Sequence, residues 1–593
     1  MNHLSATETA ALDRATAAYK AGELGEAERL CRQIVAAAPD SADAFHLLGN
    51  IQAGLKKTDL ALAAFDRAIG LRSGFAPAHV DRANLLEDLG RHEEALAGYD
   101  RAIQLRPDFA FAHFKRGNTL QSLDRDAEAV ASYDRTIALI PDVPEAYSNR
   151  GNALLKLKRL DEAVASYDRA LQLLPDFPDA LSNRGGALHE LARYDEALAS
   201  YERAIATRPD FAAAHYNRGT TYIELDRFEE AVASFDRAIA ALPGFAKAHL
   251  NRGNALQALG RHDEASASFT NAIREQPDFD EAHYNQALCR LLLGDFDRGW
   301  KEFEWRWRID QLQSSKLNLA QELWLGQRDI AGKTIFLYCE QGFGDTIQFG
   351  RYAPLVAARG ARVILQVQNP LVKLMSGLAG TAEVVARSAP LPEFDLQCPL
   401  LSLPLAFGTR LESIPPLVPG LNVPAASVAA WDERLGPKNR PRIGLVWSGR
   451  SAHVNDRNRS IKLAAMLLLL DFDASFISLQ KEVRSADLPL LKERSDLLDL
   501  GGELNDFSDT AALMSNLDLV ISADTSVVHL AGALQKPVWV LLPFLPDWRW
   551  LLNRSDSPWY PSARLFRQEG TKTWDGAIAR VRAALDDLFQ RAP

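Results

Sequence analysis

The chain has 593 residues, 47% of them hydrophobic and 24% charged, with a formal net charge of -10. That length exceeds what one hydrophobic core serves and suits roughly two to four domains. The acidic balance leaves no excess of Lys or Arg to neutralise a phosphate backbone, which argues against nucleic acid and anionic lipid surfaces as partners.

The N-terminal stretch MNHLSATETAALDRATAAYKAG has no basic region followed by an apolar run, so it reads as an amphipathic helix rather than a secretory signal. No run of about 18 apolar residues predicts a membrane span. Cys31, Cys289, Cys339 and Cys398 make no CxxC pair and no Cys/His cluster. Reduced thiols in a cytoplasm, with no metal, are the expectation.

Next along the chain is an internal repeat. FDRAI ending at Ile69 returns as YDRAI at Ile103, YDRTI at Ile137, YDRAL at Leu171, YERAI at Ile205 and FDRAI at Ile239, each step being 34 residues. Pro39, Pro107, Pro141, Pro175, Pro209, Pro243 and Pro277 keep the same beat, with Ser73 in the one vacancy. This pattern resembles the tetratricopeptide repeat, in which each unit is a pair of antiparallel helices. In the unit from Pro141, small Gly151 and Ala163 let the helices approach while Tyr147 and Tyr167 fill the space between units. About eight units run from Asp40 to Asp310, preceded by a degenerate one whose Cys31 occupies the aromatic position. The last unit ends KEFEWRWRI, and its Trp300, Trp305 and Trp307 read as the cap that docks the solenoid on the C-terminal half.

Asn149, Asn183, Asn217, Asn251 and Asn285 form a second ladder, again 34 apart, on the first helix of each unit. A column of side-chain amides on a concave face can grip a peptide backbone, since each has a donor and an acceptor. It resembles the asparagine ladder of O-GlcNAc transferases; the other reading is a set of pegs between helices. Arg150, Arg184, Arg218 and Arg252 follow the ladder, with Arg116 one unit earlier, where the repeat family usually has leucine.

Past about residue 310 the period vanishes. KTIFLYCE, ARVILQVQ, PRIGLVWSG, ASFISLQKE, LDLVISAD and KPVWVLLP are continuous β-type runs of the kind buried on both faces of a parallel sheet. The Pro- and Gly-rich stretch LPLAFGTRLESIPPLVPGLNVP and a short helix at ASVAAWDERL divide this half near residue 430. The expected layout is therefore a helical solenoid over 1–310, a first α/β lobe over 311–430 and a second over 431–593 with a C-terminal helix. Two Rossmann-like lobes with a cleft between them is the arrangement called GT-B.

Open α/β sheets bind ligands beyond the carboxyl ends of their strands. Three strand ends stand out. In CEQGFGDTIQF, Gly342 and Gly344 permit close approach or positive φ, and Asp345 is either a helix cap or a carboxylate able to take a proton from a hydroxyl. In WSGRSAHVNDRNRSIKL, Ser448, Gly449, Arg450, His453, Arg457 and Arg459 offer backbone N–H groups and guanidinium forks suited to a diphosphate. In ISADTSVVHLAGALQKPVWVLLP, Asp524, Thr525 and Ser526 lead into a helix carrying His529, whose N-terminus can hold a phosphate. Capping would equally explain Asp524 and Thr525, and core packing His529. Trp548, Trp550, Trp559 and Tyr560 either line the cleft or pack the closing helices.

The turns GFGDTIQF and DTSVVHLAGAL resemble those of glycosyltransferase family nine, the lipopolysaccharide heptosyltransferases, over roughly Lys333 to Trp574. The resemblance implies an inverting, metal-independent GT-B hexosyl- or heptosyltransferase that uses a nucleotide sugar as substrate and needs no cofactor. Asp345 matches the base of the first lobe; Asp524, Thr525 and His529 match the donor-binding turn; Arg457 or Arg459 stands for the basic residue of the phosphate loop. The first lobe is short for that family, which fits a protein acceptor held in the concave solenoid face. Two other readings stay open: a non-catalytic repeat scaffold with a degenerate GT-B half, and O-GlcNAc-transferase-like protein glycosylation.

Overall fold

The computed structural model describes residues 6–313, 316–418, 420–451, 455–570 and 572–590. The chain divides into two compact units, Met1–Pro243 and Gly244–Pro593.

The first unit is a helical solenoid. Among the described residues it has seven antiparallel helix pairs, from Ala6–Lys20 with Leu24–Ala37 to Ala212–Glu224 with Phe228–Ala241. Glycine decides how closely each pair packs. A Cβ on Gly151 would lie 2.6 Å from the ring of Tyr167, and Gly117, Gly185 and Gly219 meet Tyr133, Tyr201 and Phe235 in the same way. Those rings are buried. Cys31 holds the equivalent place in the first pair, buried with Ala15 and Ala27, and burial pushes its thiol up to about 12.

This packing makes a paired prediction. Alanine at Gly151 gains about 1 kcal/mol of helix propensity but overpacks the Tyr167 ring at a cost of about 1–3 kcal/mol, so Gly151→Ala is expected to destabilise the solenoid. Gly186, one residue past the tight position of its own repeat, has open space where a Cβ would go. Gly186→Ala should stabilise by up to about 1 kcal/mol. Urea melts of the two variants check the opposite signs.

The arginines that replace leucine are rivets. Arg116 donates to Asp100 at 2.6 Å and to Ser132 at 2.6 Å, and Arg184 to Asp168 at 2.6 Å and Ser200 at 2.7 Å. Arg150 makes the same pair of bonds to Asp134 and Ser166. Each guanidinium thus ties the first helix of a repeat to the second helices on either side.

The second unit begins with two further helix pairs, Ala246–Ala258 with His262–Glu275 and Asp280–Leu292 with Phe296–Phe303. Two parallel sheets come after them. The first contains β1 (Glu322–Leu323), β2 (Thr334–Tyr338), β3 (Arg362–Val367), β4 (Glu383–Ala386) and β5 (Leu396–Pro399), in the order β1-β5-β2-β3-β4. The second contains β6 (Arg442–Val446), β7 (Ser475–Ser478), β8 (Leu497–Asp499), β9 (Leu519–Ala523), β10 (Val538–Leu542) and β11 (Ala563–Arg567), in the order β11-β10-β9-β6-β7-β8. Counted within its own lobe, that is the doubly wound order 3-2-1-4-5-6, which reverses between β6 and β9.

One apolar cluster runs through this unit, from Leu291 and Trp300 of the last repeat through Leu337 and Leu365 to Val446, Val540 and Trp559. The lobes share a core where they meet. On the outer face of the second sheet, Ala577, Val581 and Leu585 of the closing helix Asp575–Gln590 pack on Ile443, Leu519 and Leu541. Among the described residues no helix is long and apolar enough to cross a membrane.

The aromatic cap divides its work. Trp300 is buried, donates its indole N–H to the Thr409 carbonyl at 3.0 Å and meets Trp548 edge-on at 5.2 Å. Trp305 turns back instead and stacks on His283 of the repeat at 3.7 Å. Next to Trp305, Arg306 is fully buried, donating to Glu340 just past β2 at 2.9 and 3.1 Å and to Ser402 at 2.7 Å. Glu340 also accepts the Leu401 N–H at 3.1 Å.

Candidate active site

The reversal of strand order between β6 and β9 opens the second sheet at its carboxyl end, and both candidate turns of that lobe leave from there. After β6, the N–H groups of Trp447 and Ser448 donate to Gln480 at 3.2 and 3.1 Å, and that of Gly449 donates to Ser460 at 3.2 Å. Those amides, expected to be open to a phosphate, are therefore engaged within the lobe. What this turn still offers is the buried Ser448 hydroxyl, which has no hydrogen-bond partner, and the arginines beyond it.

Arg459 and Arg457 diverge. Arg459 lies flat on Gly449, where a Cβ would come within 2.5 Å of Nη2, and donates through Nη1 to the Asp524 carbonyl at 3.1 Å. Its Nε is buried without a partner. One guanidinium thereby bridges the β6 and β9 turns. Arg457 is exposed on a cleft of about 470 Å³ lined also by Lys462 and by Arg484, which is held by Asp456 and Ser460. Arg450 is exposed at the rim, and His453 lies outside the described residues.

Neither Asp524 nor Thr525 is explained by capping. Thr525 stands at the N-cap of the helix Ser526–Ala533, but its side chain makes no capping bond; its hydroxyl lies 3.2 Å from that of Ser522. Asp524 precedes the cap. Burial, then the nearby charge of Asp547, pushes its carboxyl up to about 6, against the pull of Trp550, Arg459 and Arg549. Ser526 is half-buried at the helix start, where the first amides lack intrahelical partners.

His529 looks across to the first lobe. A Cβ on Gly344 would lie 2.5 Å from its ring, so glycine is required for the two helices Phe343–Phe349 and Ser526–Ala533 to meet. The imidazole Nδ1 pairs with the Tyr560 hydroxyl at 3.0 Å and the ring stacks near Trp550 at 5.8 Å. Burial, reinforced by the guanidiniums of Arg549, Arg351 and Arg459, holds His529 well below its usual range, so it is neutral. Neither Gly342 nor Gly344 has positive φ; close approach at Gly344 is the reason that applies.

Asp345 has a double engagement. Its Oδ2 accepts the Gly342 N–H at 2.7 Å, closing the start of its own helix, and its Oδ1 pairs with Arg549 of the second lobe. Gln368 pins the turn, donating to the Gln341 carbonyl at 2.9 Å and accepting from Thr346 at 2.9 Å. Arg549 is nearly buried and also donates to Asp547 at 2.9 Å and Gln348 at 2.8 Å. Trp548, Trp550, Trp559 and Tyr560 are buried, packing residues rather than a binding platform.

Sequence reasoning missed Arg549, Asp547, Arg351 and Gln348. The signal was present: PFLPDWRW lies just past β10, a fourth strand end, but the tryptophans on either side of the arginine leave cleft lining and core packing both open.

In the solenoids, Asn149 donates to Asn118 at 3.0 Å, Asn183 to Asn152 at 2.9 Å and Asn285 to Asn254 at 2.9 Å. Tyr133 and Tyr167 donate to Asn118 and Asn152, at 2.8 Å each. These ladder amides peg successive repeats together. At Asn217 the corresponding upstream residue is Gly186, which has no side chain to accept.

Comparison with known proteins agrees with this layout. Tetratricopeptide-repeat families match residues 12–77, 83–124, 144–177, 183–244 and 250–302. Protein FlbA of Caulobacter vibrioides is 28% identical over 328 residues, which cover 50% of this chain and 54% of that protein, so the chain spans about half the length of the curated relative it matches. Among solved structures, YrrB, a repeat protein with an unusual peptide-binding site, is 29% identical over 31% of this chain and 95% of its own, with a TM-score of 0.29. PilW, a type IV pilus biogenesis factor, is 22% identical over 35% of this chain and 96% of its own, with a TM-score of 0.33. The chain is a tetratricopeptide-repeat solenoid followed by a GT-B-like half whose second lobe, over residues 475–541 and including the Asp524–His529 turn, matches glycosyltransferase family 9 (heptosyltransferase).

Proposed function

We propose that the second unit transfers a glycosyl group from a nucleotide-sugar donor to an acceptor hydroxyl, with inversion and without a metal, and that the repeats recruit the acceptor as a protein in the cytoplasm. The observation that carries this reading is the meeting of the two turns: Gly344 abuts His529, so the Asp345 carboxylate faces the end of the second sheet where the chain reverses.

In the proposed reaction the acceptor oxygen attacks the anomeric carbon as the bond from that carbon to the diphosphate oxygen breaks. The acceptor proton passes to Asp345, whose oxygens each keep a lone pair beyond their present hydrogen bonds. The electron pair leaves with the nucleoside diphosphate. Arg459, whose Nε has no protein partner, and the first amides of the helix Ser526–Ala533 stabilise that charge. Ser448 and Thr525 offer hydroxyls beside them.

The reading is tested by thermal shift with UDP, ADP and GDP. One of them is expected to raise the melting temperature, since a ligand present at a hundred times its Kd stabilises the native state by about 2.7 kcal/mol. Arg459→Gln should remove most of the shift. A chain that none of the three stabilises at millimolar concentration is the interaction scaffold instead.

A further inference from the structure

We propose that Arg549 is the positioning residue for the base, orienting Asp345 from the opposite lobe, and that the last repeat fixes Arg549 in turn. This rests on the transferase reading above.

Asp345 alone is poorly constrained. Its own lobe supplies one contact to the carboxylate, the Gly342 N–H, which leaves the other oxygen free to rotate about it. Arg549 supplies the second. Its guanidinium is planar and its three nitrogens are directed to three different acceptors: Nη2 to Asp345, Nη1 to Asp547 and Nε to Gln348. A fork held on three sides can fix the plane of the carboxylate it meets, which a single flexible ammonium cannot.

The face of the guanidinium is also occupied. It lies 4.3 Å over the Trp548 ring and 5.7 Å from that of Phe349. Trp548 is met edge-on by Trp300 from the last repeat helix, at 5.2 Å and 88°, and Trp300 is itself tethered to the Thr409 carbonyl at 3.0 Å. A continuous packed path therefore runs from the terminal repeat through Trp300 and Trp548 to Arg549 and the carboxylate. A residue that served only stability would need no such alignment on the one acidic side chain of the Gly342–Phe349 turn.

The test compares kcat for transfer with the Kd for the nucleoside diphosphate, in full-length Arg549→Lys and Arg549→Gln. Loss of orientation should lower kcat about 10-fold in the lysine variant and about 100-fold in the glutamine variant, with the nucleotide Kd within about threefold of wild type. Trp300→Phe should give a smaller fall in kcat, again at constant Kd. Retention of kcat by Arg549→Gln overturns the proposal, and so does an equal loss in kcat and nucleotide affinity, which would make Arg549 a donor contact. If Arg549→Gln fails to fold, the lysine variant decides on the same two quantities. A wild-type chain that binds no nucleotide and transfers nothing removes the transferase reading itself, an outcome distinct from either of these.

Discussion

Glu340→Ala is expected to destabilise the second unit by about 3 kcal/mol, the lower end of the cost of breaking a buried ion pair, because the Glu304 carboxylate still faces Arg306. Arg306 has no surface exposure, and two of its N–H groups donate to Glu340. Its remaining contacts to Glu304, the Phe303 carbonyl and Ser402 cannot replace both. Burial raises the Glu340 carboxyl above its usual range even though Arg306 pulls it down, while Glu340 and Glu304 together hold the Arg306 guanidinium above its own range against the same burial. An ion pair buried this deeply fixes the register of the chain whether or not it adds net stability. Replacing all three members by apolar residues, as in Arg306→Met with Glu340→Leu and Glu304→Leu, should recover most of the loss, and calorimetric melts of the single and triple variants distinguish the two cases.

Asp345→Asn is expected to lower kcat for transfer by about 100- to 10,000-fold, the range over which a positioned general base contributes. The amide keeps one of the two contacts and loses the other. Its oxygen can still accept from Arg549, but its nitrogen then meets the Gly342 N–H donor to donor. The structural cost is about one hydrogen bond, on the order of 1 kcal/mol. In the proposed reaction the nucleotide sits on the other lobe, so its affinity should be nearly unchanged.

Much of this architecture is legible in the residues. The 34-residue beat places the helix pairs, and six apolar runs place six of the seven interior strands, because a strand buried on both faces has no polar alternation to blur it. The strands that are hard to read are short or at edges: β1 has two residues, β5 is LQCP and ends in proline, and β11 is ARLFR, with Arg564 exposed and Arg567 half-buried. In the site, each turn is visible as glycine or small residues after a strand. Their convergence is not, because it depends on which turn of one lobe faces which turn of the other. Gly344 against His529 is a contact across 185 residues of chain, and no local pattern encodes it. The same limit hides Arg549, whose acceptor Asp345 lies 204 positions away. The asparagine ladder shows the converse: its spacing is plain, yet only the acceptors Asn118, Asn152 and Asn254 reveal that these amides hold the repeats together.

Transfer by Asp345 is tested by turnover of nucleotide sugars by the full-length chain, wild type and Asp345→Asn side by side, read as release of nucleoside diphosphate. The wild type is expected to release nucleoside diphosphate from at least one donor, and Asp345→Asn to lose that release while still binding the nucleotide. Equal release by both proteins would contradict that expectation.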